Sequence, residues 1–240
     1  MLDGTLDLVD DGAMPDHDHA LIGSQFSWNL PLTSGGVEAE LDDGTSVFIR
    51  PIRADDAPAL ENAFAEMSPR SRYLRFFTVR NHLGRDLTTK LTDIDHDRHR
   101  AWVAADVNEP STVGSDEGRG IAVARLVVVD DEPNTAEAAL AVVDDHQGRG
   151  LGRLMLDLLI STARATDIEF IRFETLAENE GMRALLAELG AETNRALTDH
   201  EVLVYDLPVG SPRTDDAMII GSLYEILRFI AASDDGDATG

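Results

Sequence analysis

One short run in this chain has the residue types and spacing to hold an anion: Gln147-Gly148-Arg149-Gly150-Leu151-Gly152-Arg153. It follows the strand-like segment Ala136 to Val143 and the breaking residues Asp144-Asp145-His146. After it, Leu151, Leu154, Met155, Leu158 and Leu159 recur at helical spacing. Strand, glycine-rich turn and helix therefore stand in succession. The first N–H groups of a helix have no partner inside it, and the aligned peptide dipoles make that end positive. Glycines let the backbone approach a phosphate closely and adopt positive φ. In a chain with 45 acidic and 20 basic residues, Arg149 and Arg153 at one turn mark a local site for negative charge.

Three phosphate-binding patterns can be tested against this turn. A Walker loop needs Lys-Ser/Thr after its last glycine, and Arg153-Leu154 stand there. A dinucleotide fingerprint needs a third glycine at position 153, which is arginine. The third pattern, Gln/Arg-x-x-Gly-x-Gly/Ala after a strand, is met by Gln147, Gly150 and Gly152. Taken alone, the loop leaves one alternative open, a glycine-rich turn with no ligand.

The elements that must position this turn lie in a chain of 240 residues, enough for one substantial core and tails. No apolar run reaches membrane-spanning length, and the acidic start MLDGTLDLVDDG lacks the basic region of a secretion signal, so a cytoplasmic location is expected. With no cysteine, disulfides, thiolate metal sites and cysteine nucleophiles are excluded. The net charge of −25 argues against binding nucleic acid or an anionic membrane. Lys90 is the only lysine; this bias fits either high-salt adaptation or GC-rich codon usage.

Residues 1–45 read as an acidic, mobile tail. Within it Asp16-His17-Asp18-His19 is read as a solvated charge run rather than a metal site, and Phe26 and Trp28 as side chains able to dock on the domain. SVFIRPIR from Ser46 is strand-like. Asp55-Asp56-Ala57-Pro58 opens one helix, and Ser68-Pro69 caps another whose arginines alternate with Tyr73, Phe76 and Phe77. That second helix is either a core face with solubilising arginines or the border of an acceptor cleft. Leu83 to Leu91 forms a short helix, and the Asp93 to His99 cluster is an ordinary polar connection. Strands follow at 100–107, 121–130 and 136–143, with short turns that imply an antiparallel meander. Past the long helix come a strand at 169–176, a helix at 182–190 stopped by Gly190, and a hairpin at 193–197 and 201–207. The order is β-α-α-β-β-β-α-β-α-β-β. Residues 208–240 hold a linker, an apolar helix face from Met218 to Ile230 that can dock on the domain or form a homodimer, and a disordered end.

Loop and element order together resemble the GCN5-related N-acetyltransferase (GNAT) superfamily over roughly residues 46–207. FIRPIRADDAPAL, SPRSRYLRFF and AEAALAVVDDHQGRGLG are similar to its bacterial protein-lysine acetyltransferase group. The resemblance implies an α/β (α+β) fold with a mixed, mostly antiparallel sheet of six to seven strands flanked by helices. It implies acetyl-CoA or another acyl-CoA as co-substrate and no metal. Leu140 and Val142 would pair with the pantetheine arm, on a strand edge splayed from its neighbour. The pyrophosphate would lie on the amides of Gln147, Gly148, Arg149, Gly150, Leu151 and Gly152, with Arg149 and Arg153 near it. Asn179 matches the family's Asn-x-x-Ala motif, although position 182 is Met. Some relatives carry a fused cyclic-nucleotide domain; the stretch before Ser46 is too short for one, so regulation of that kind is not expected.

Transfer to an amine needs a base, because an ammonium near pKa ~10.4 cannot attack a thioester. Glu137 corresponds to the catalytic glutamate of the lysine acetyltransferase group, and partial burial would suit it to the task. Leu186 stands where many relatives carry a tyrosine that protonates the departing thiolate; Tyr73 and Tyr205 are the substitutes to examine. The expected activity is acyl transfer to a primary amine, either a protein lysine or a small cationic amine. A non-catalytic acyl-CoA sensor is the alternative.

Overall fold

The structure is a computed structural model that describes residues 28–29 and 35–210, apart from 42, 79, 112, 114, 115 and 167. In chain order its elements are β1 (Trp28–Asn29), β2 (Val37–Glu40), β3 (Ser46–Pro51), α1 (Ala57–Glu66), α2 (Pro69–Phe76), α3 (Arg85–Thr92), β4 (His99–Asp106), β5 (Arg119–Val129) and β6 (Glu132–Val142). There follow α4 (Leu151–Arg164), β7 (Phe170–Leu176), α5 (Glu180–Glu188), β8 (Glu192–Thr193) and β9 (Val202–Pro208). One sheet takes all the strands, in the order β1-β2-β3-β4-β5-β6-β7-β9-β8. The helices flank it, as expected for the α/β class.

Two details differ from the sequence expectation. Val37–Glu40 falls in the stretch assigned to the acidic tail, yet it pairs with β3 from Val37↔Ile49 to Glu40↔Ser46. Val37, Ala39 and Leu41 are buried while Glu38 and Glu40 face water. That period of two makes a strand edge that composition averages away. With β1 the sheet reaches nine strands rather than six to seven. Three helices separate β3 from β4, the third being the short helix read at Leu83 to Leu91, which the order β-α-α-β omits.

Strand alternation gives the sheet two unlike faces. Trp102, Ala104, Ala124, Leu126 and Ala136 join α4 in the main core. From Leu151 to Ala163 nearly every α4 side chain is buried, which explains an apolar run wider than one helical stripe. Each fully buried leucine there contributes about 1.5–3 kcal/mol. On the opposite face Val103, Val123 and Ala141 look into a small internal cavity of about 90 Å³ roofed by Phe64, Met67 and Phe76.

The feature that positions the site is the β6–β7 pair, the one parallel pairing in the sheet. It runs from Thr135↔Phe170 only to Ala138↔Phe173. Beyond that point β6 stays with β5 as far as Val142↔Ala122, and β7 stays with β9 as far as Leu176↔Val202. A wedge opens between them. Val143 donates its N–H to Ile121 O at 2.9 Å, which sets the phase of the edge. By alternation the backbone groups of Leu140 and Val142 then point away from β5, into the wedge.

Among the described residues no helix is long and apolar enough to cross a membrane. The Asp16–His19 run, Phe26, the side chain of Trp28 and the helix expected over 218–230, with its possible homodimer, lie outside the described residues.

Candidate active site

The wedge widens into a cleft of about 1000 Å³, the upper end of the range for small-molecule sites. One wall is β6 from Glu137 to Val142 with the glycine turn below it; the other is Glu174 and Thr175 of β7 with the start of α5. Ser71, Leu74, Arg75, Phe76 and Phe77 bring α2 over the opening, so this helix does border the cleft. Its seating is built into the sequence. Ser68 Oγ accepts the Ser71 N–H at 3.1 Å, and Pro69 needs no donor partner at the first turn. Asp144, just after β6, accepts Ser68 N–H and Ser71 Oγ–H, both at 2.8 Å. These bonds hold the Asp144 carboxyl below its ordinary range against the opposing effect of burial.

At the foot of the wedge the glycine turn behaves as its composition demands. Gly150 caps α4 with φ 86° and accepts the Leu154 N–H at 3.0 Å. Gly148 also takes positive φ, and a Cβ there would meet nothing within 4 Å, so its side is open. The main-chain corner thus has the form of an anion cradle. The side chains around it divide. Gln147 turns its amide back, donating to Val142 O at 3.0 Å and Ser71 Oγ at 3.3 Å. Val142 therefore has its carbonyl occupied, contrary to a fully free edge, while its N–H still faces the wedge. Arg149 points to the β2–β3 turn, where Asp43 holds it at 2.8 Å, and is not on the cleft wall. Leu151 is fully buried in the core, which leaves its main chain alone for a ligand. Arg153 lines the cleft, but its Nε bonds both Asp157 oxygens at 3.0 and 3.2 Å. Burial raises Asp157 to about 6 despite that arginine. Gly148, Gly150, Gly152, Leu140 and Asn179 all line the cleft. Asn179 caps α5, its Oδ1 accepting Met182 N–H at 3.2 Å.

Glu137 sits on the cleft wall just before the strands part, opposite Val127 on β5. It is exposed rather than partly buried, because the wedge begins one residue later and admits solvent beside it. The tyrosine substitutes fail: neither Tyr73 nor Tyr205 lines the cleft, and Tyr205 packs against the core. Leu186 is also core, so its face of α5 looks inward. A hydroxyl the sequence did not single out is Thr175 on β7: 1% exposed, on the cleft lining and without a hydrogen-bond partner among the described residues. A buried donor left free is costly and suits a site that receives a polar ligand.

Also missed was Arg125 on the cleft wall, which Arg75 lines too, from the helix read as a possible cleft border. A charge inside the strand run IAVARLVVVD was the available signal. Among the described residues, one group of acids and histidine lies close enough to share an ion: Asp106, Glu109 and His146. Both His146 ring nitrogens are taken, by Asp145 at 2.9 Å and Asp106 at 3.2 Å, and Glu109 is bound by Arg119 at 2.7 Å. These bonds tie the three residues into one network. The Asp93–His99 segment is a polar turn in which Asp95 accepts the N–H groups of Asp97 and His99.

Comparison with known proteins points one way. Residues 76–191 match the acetyltransferase (GNAT) family model. The chain is 30% identical over 167 residues to acetyltransferase PA5475 of Pseudomonas aeruginosa, covering 70% of this chain and 86% of that one. It is 31% identical over 155 residues to acetyltransferase Pat of Mycolicibacterium smegmatis, covering 65% of this chain and 44% of that longer protein. In three dimensions it resembles the GNAT domain of S. lividans PAT at 27% identity and a TM-score of 0.64, over 72% of this chain and 96% of that domain.

Proposed function

This chain belongs to the GNAT acetyltransferase family, and from that premise we propose that it moves an acetyl group from acetyl-CoA to a primary amine by direct attack, with Glu137 as general base. The single observation that carries the reading is the wedge: a strand edge with free backbone groups that runs into a glycine-lined helix start. An extended amide-bearing arm can pair with the Leu140 edge and the Val142 N–H, as an added strand would. Its diphosphate then reaches the amides from Gly148 to Gly152, the Gln147 N–H being already given to Asp144 O at 3.3 Å, with Arg153 beside them and Asn179 at the opposite wall. Held this way, thioester and amine meet in one complex, which removes most of the entropic cost of encounter. Glu137 takes the ammonium proton, directly or through a water that its exposure admits. The amine nitrogen bonds to the carbonyl carbon, the oxyanion is steadied by the free N–H groups of the β6 edge, and the C–S bond breaks to release the thiol. A thiol with pKa about 8.5 leaves without strong acid help, so the loss of the usual tyrosine is tolerable. Thr175 is the free hydroxyl on that wall.

The test pairs calorimetry with thiol release. Glu137→Gln is expected to bind coenzyme A as the parent does and to lose about 10²–10⁴-fold in kcat. Gly150→Glu, which forces a side chain and a negative charge into the cradle, is expected to abolish binding. Unchanged affinity in Gly150→Glu sinks the cradle, and unchanged kcat in Glu137→Gln sinks the base. Tight coenzyme A binding with no turnover on any amine identifies a sensor instead.

A further inference from the structure

We infer that Arg75 and Arg125 form a receptor for a carboxylate carried by one of the reactants, so that the enzyme selects an acidic group beside the reacting amine or acyl carbon. This deepens the acetyltransferase reading and rests on it.

Four arginines of the described chain are buried: Arg50, Arg100, Arg125 and Arg172. Arg50 is clamped by Asp56 at 2.6 Å and Glu117 at 2.6 Å, Arg172 by Glu132 and Asp206 at 2.8 Å each, and Arg100 reaches Asp97 at 3.3 Å. Arg125, 5% exposed, has no carboxylate among the described residues. Its Nη1 donates to Leu91 O at 3.2 Å and lies 3.0 Å from His99 Nε2. Neither partner carries negative charge: one is a carbonyl, and the other an imidazole that burial first and Arg125 second keep neutral, down to about 4. Arg75, half-buried, adds a second cation with no carboxylate partner among the described residues; it stacks on Phe76 at 4.9 Å and lines the same two cavities as Arg125. The two are near enough that Arg75, after burial, is the second cause of the depressed pKa of Arg125, about 9. A buried cation without a counter-charge is expensive, and a half-buried second cation close by adds to the cost. This chain has 45 acidic residues to spend on neutralising them. The missing partner is therefore supplied by a ligand, and both arginines line the cleft that would admit it.

The pair also stands in the right place. Arg125 is directly opposite Ala139, and Glu137 opposite Val127. Arg125 and Glu137 are thus diagonal neighbours on one face, roughly 7–8 Å apart and somewhat less at Cβ. That span suits a reactant with its amine or acyl carbon at Glu137 and its carboxylate at the arginines. Two sources fit: an amino-acid acceptor, or the terminal carboxylate of a dicarboxylic acyl group. Arginine binds either bidentately.

The experiment uses the full chain in two arms. In the first, acetyl-CoA is offered with amino acids and with their carboxamides; in the second, a fixed amine is offered with succinyl-CoA and with acetyl-CoA. At least a tenfold preference in kcat/KM for the acid-bearing member is expected in one arm, and that arm names the source. Arg125→Met and Arg75→Met are each expected to erase the preference through KM, and Arg125→Lys to restore part of it. Glutarate and succinate binding to the coenzyme A complex, followed by calorimetry, reads the pair without turnover and should vanish in Arg125→Met. No preference in either arm together with no dicarboxylate binding overturns the inference, as does a preference untouched by Arg125→Met. Failure of coenzyme A to bind the parent protein is a separate result, and it strikes the acetyltransferase reading.

Discussion

Arg119 and Arg125 lie on one strand, β5, and meet opposite fates. Arg119 reaches Glu66 at 2.8 Å, Glu109 at 2.7 Å and Asp145 at 2.8 Å, tying α1, the β4–β5 connection and the turn after β6 together. Arg125, six positions on, is more deeply buried and touches only a carbonyl and an imidazole. In so acidic a chain, saturated charge is the ordinary condition and marks architecture. Unsaturated charge marks the place where the molecule waits for something else. The same contrast separates Arg149 and Arg153, each already bound to an aspartate, from the glycine amides of the turn they flank.

The sharpest way to break the contrast is to give Arg125 what it lacks. Ala139→Asp places a carboxylate directly across the strand pair from Arg125. Turnover of the acid-bearing reactant should fall by about 100-fold or more, because like charges forced together cost several kcal/mol. Steady-state kinetics on acid-bearing and neutral reactants checks this; an equal loss on both points to damage at Glu137 instead.

Next in size is stability. Arg119→Met takes the shared arginine from three partly solvated carboxylates, so a loss of about 1–2 kcal/mol is expected, or roughly 3–6 °C in Tm. Arg125→Met removes a buried cation that nothing neutralises, and its Tm should hold or rise. Thermal melts of the two variants side by side decide it. If Arg125→Met melts as early as Arg119→Met, that guanidinium is architectural as well.

The smallest effect is in protonation. Burial, then the charge of Arg125, hold His99 at about 4 against an ordinary value near 6.5. Below pH 6.5 the unfolded chain binds a proton that the native state refuses. The stability this represents is present above pH 6.5 and lost as pH falls through 4. In Arg125→Met the second cause disappears and the first remains. The His99 ring titration followed by NMR should move up from about 4 without reaching 6.5. Asp145 mirrors it on the saturated side. The hydrogen bond from Arg119 holds Asp145 at about 2, so its contribution is complete above pH 3.8 and lost as pH falls through 2. Arg119→Met should return it toward 3.8. A His99 titration indifferent to Arg125→Met means the two groups do not share a field.

Most of the frame was legible because its causes are local. Ser68-Pro69 caps α2, Gly150 opens α4 and Asn179 caps α5 within three or four residues of the groups they serve. Alternation and helical spacing fixed the strands and helices around the turn for the same reason. Val37–Glu40 escaped since its four residues sit within an acidic stretch, where a local period is diluted. Glu137 and the cleft-lining glycines were readable from the loop and its family pattern. The placement of Gln147 on Val142 and the burial of Leu186 were not, since each depends on packing between elements.

The amino-acid sequence by itself determined that a strand hands over to a long buried helix through a glycine corner, in a chain with a large excess of acid. Tertiary structure alone decided which charges are cancelled. Arg75 and Arg125 are 50 positions apart, and Arg119 draws its partners from 53, 10 and 26 positions away. Helix and strand propensities act within a turn or a pleat. Neutralising a charge depends on whatever the fold brings within about 4 Å, and no local pattern records that distance.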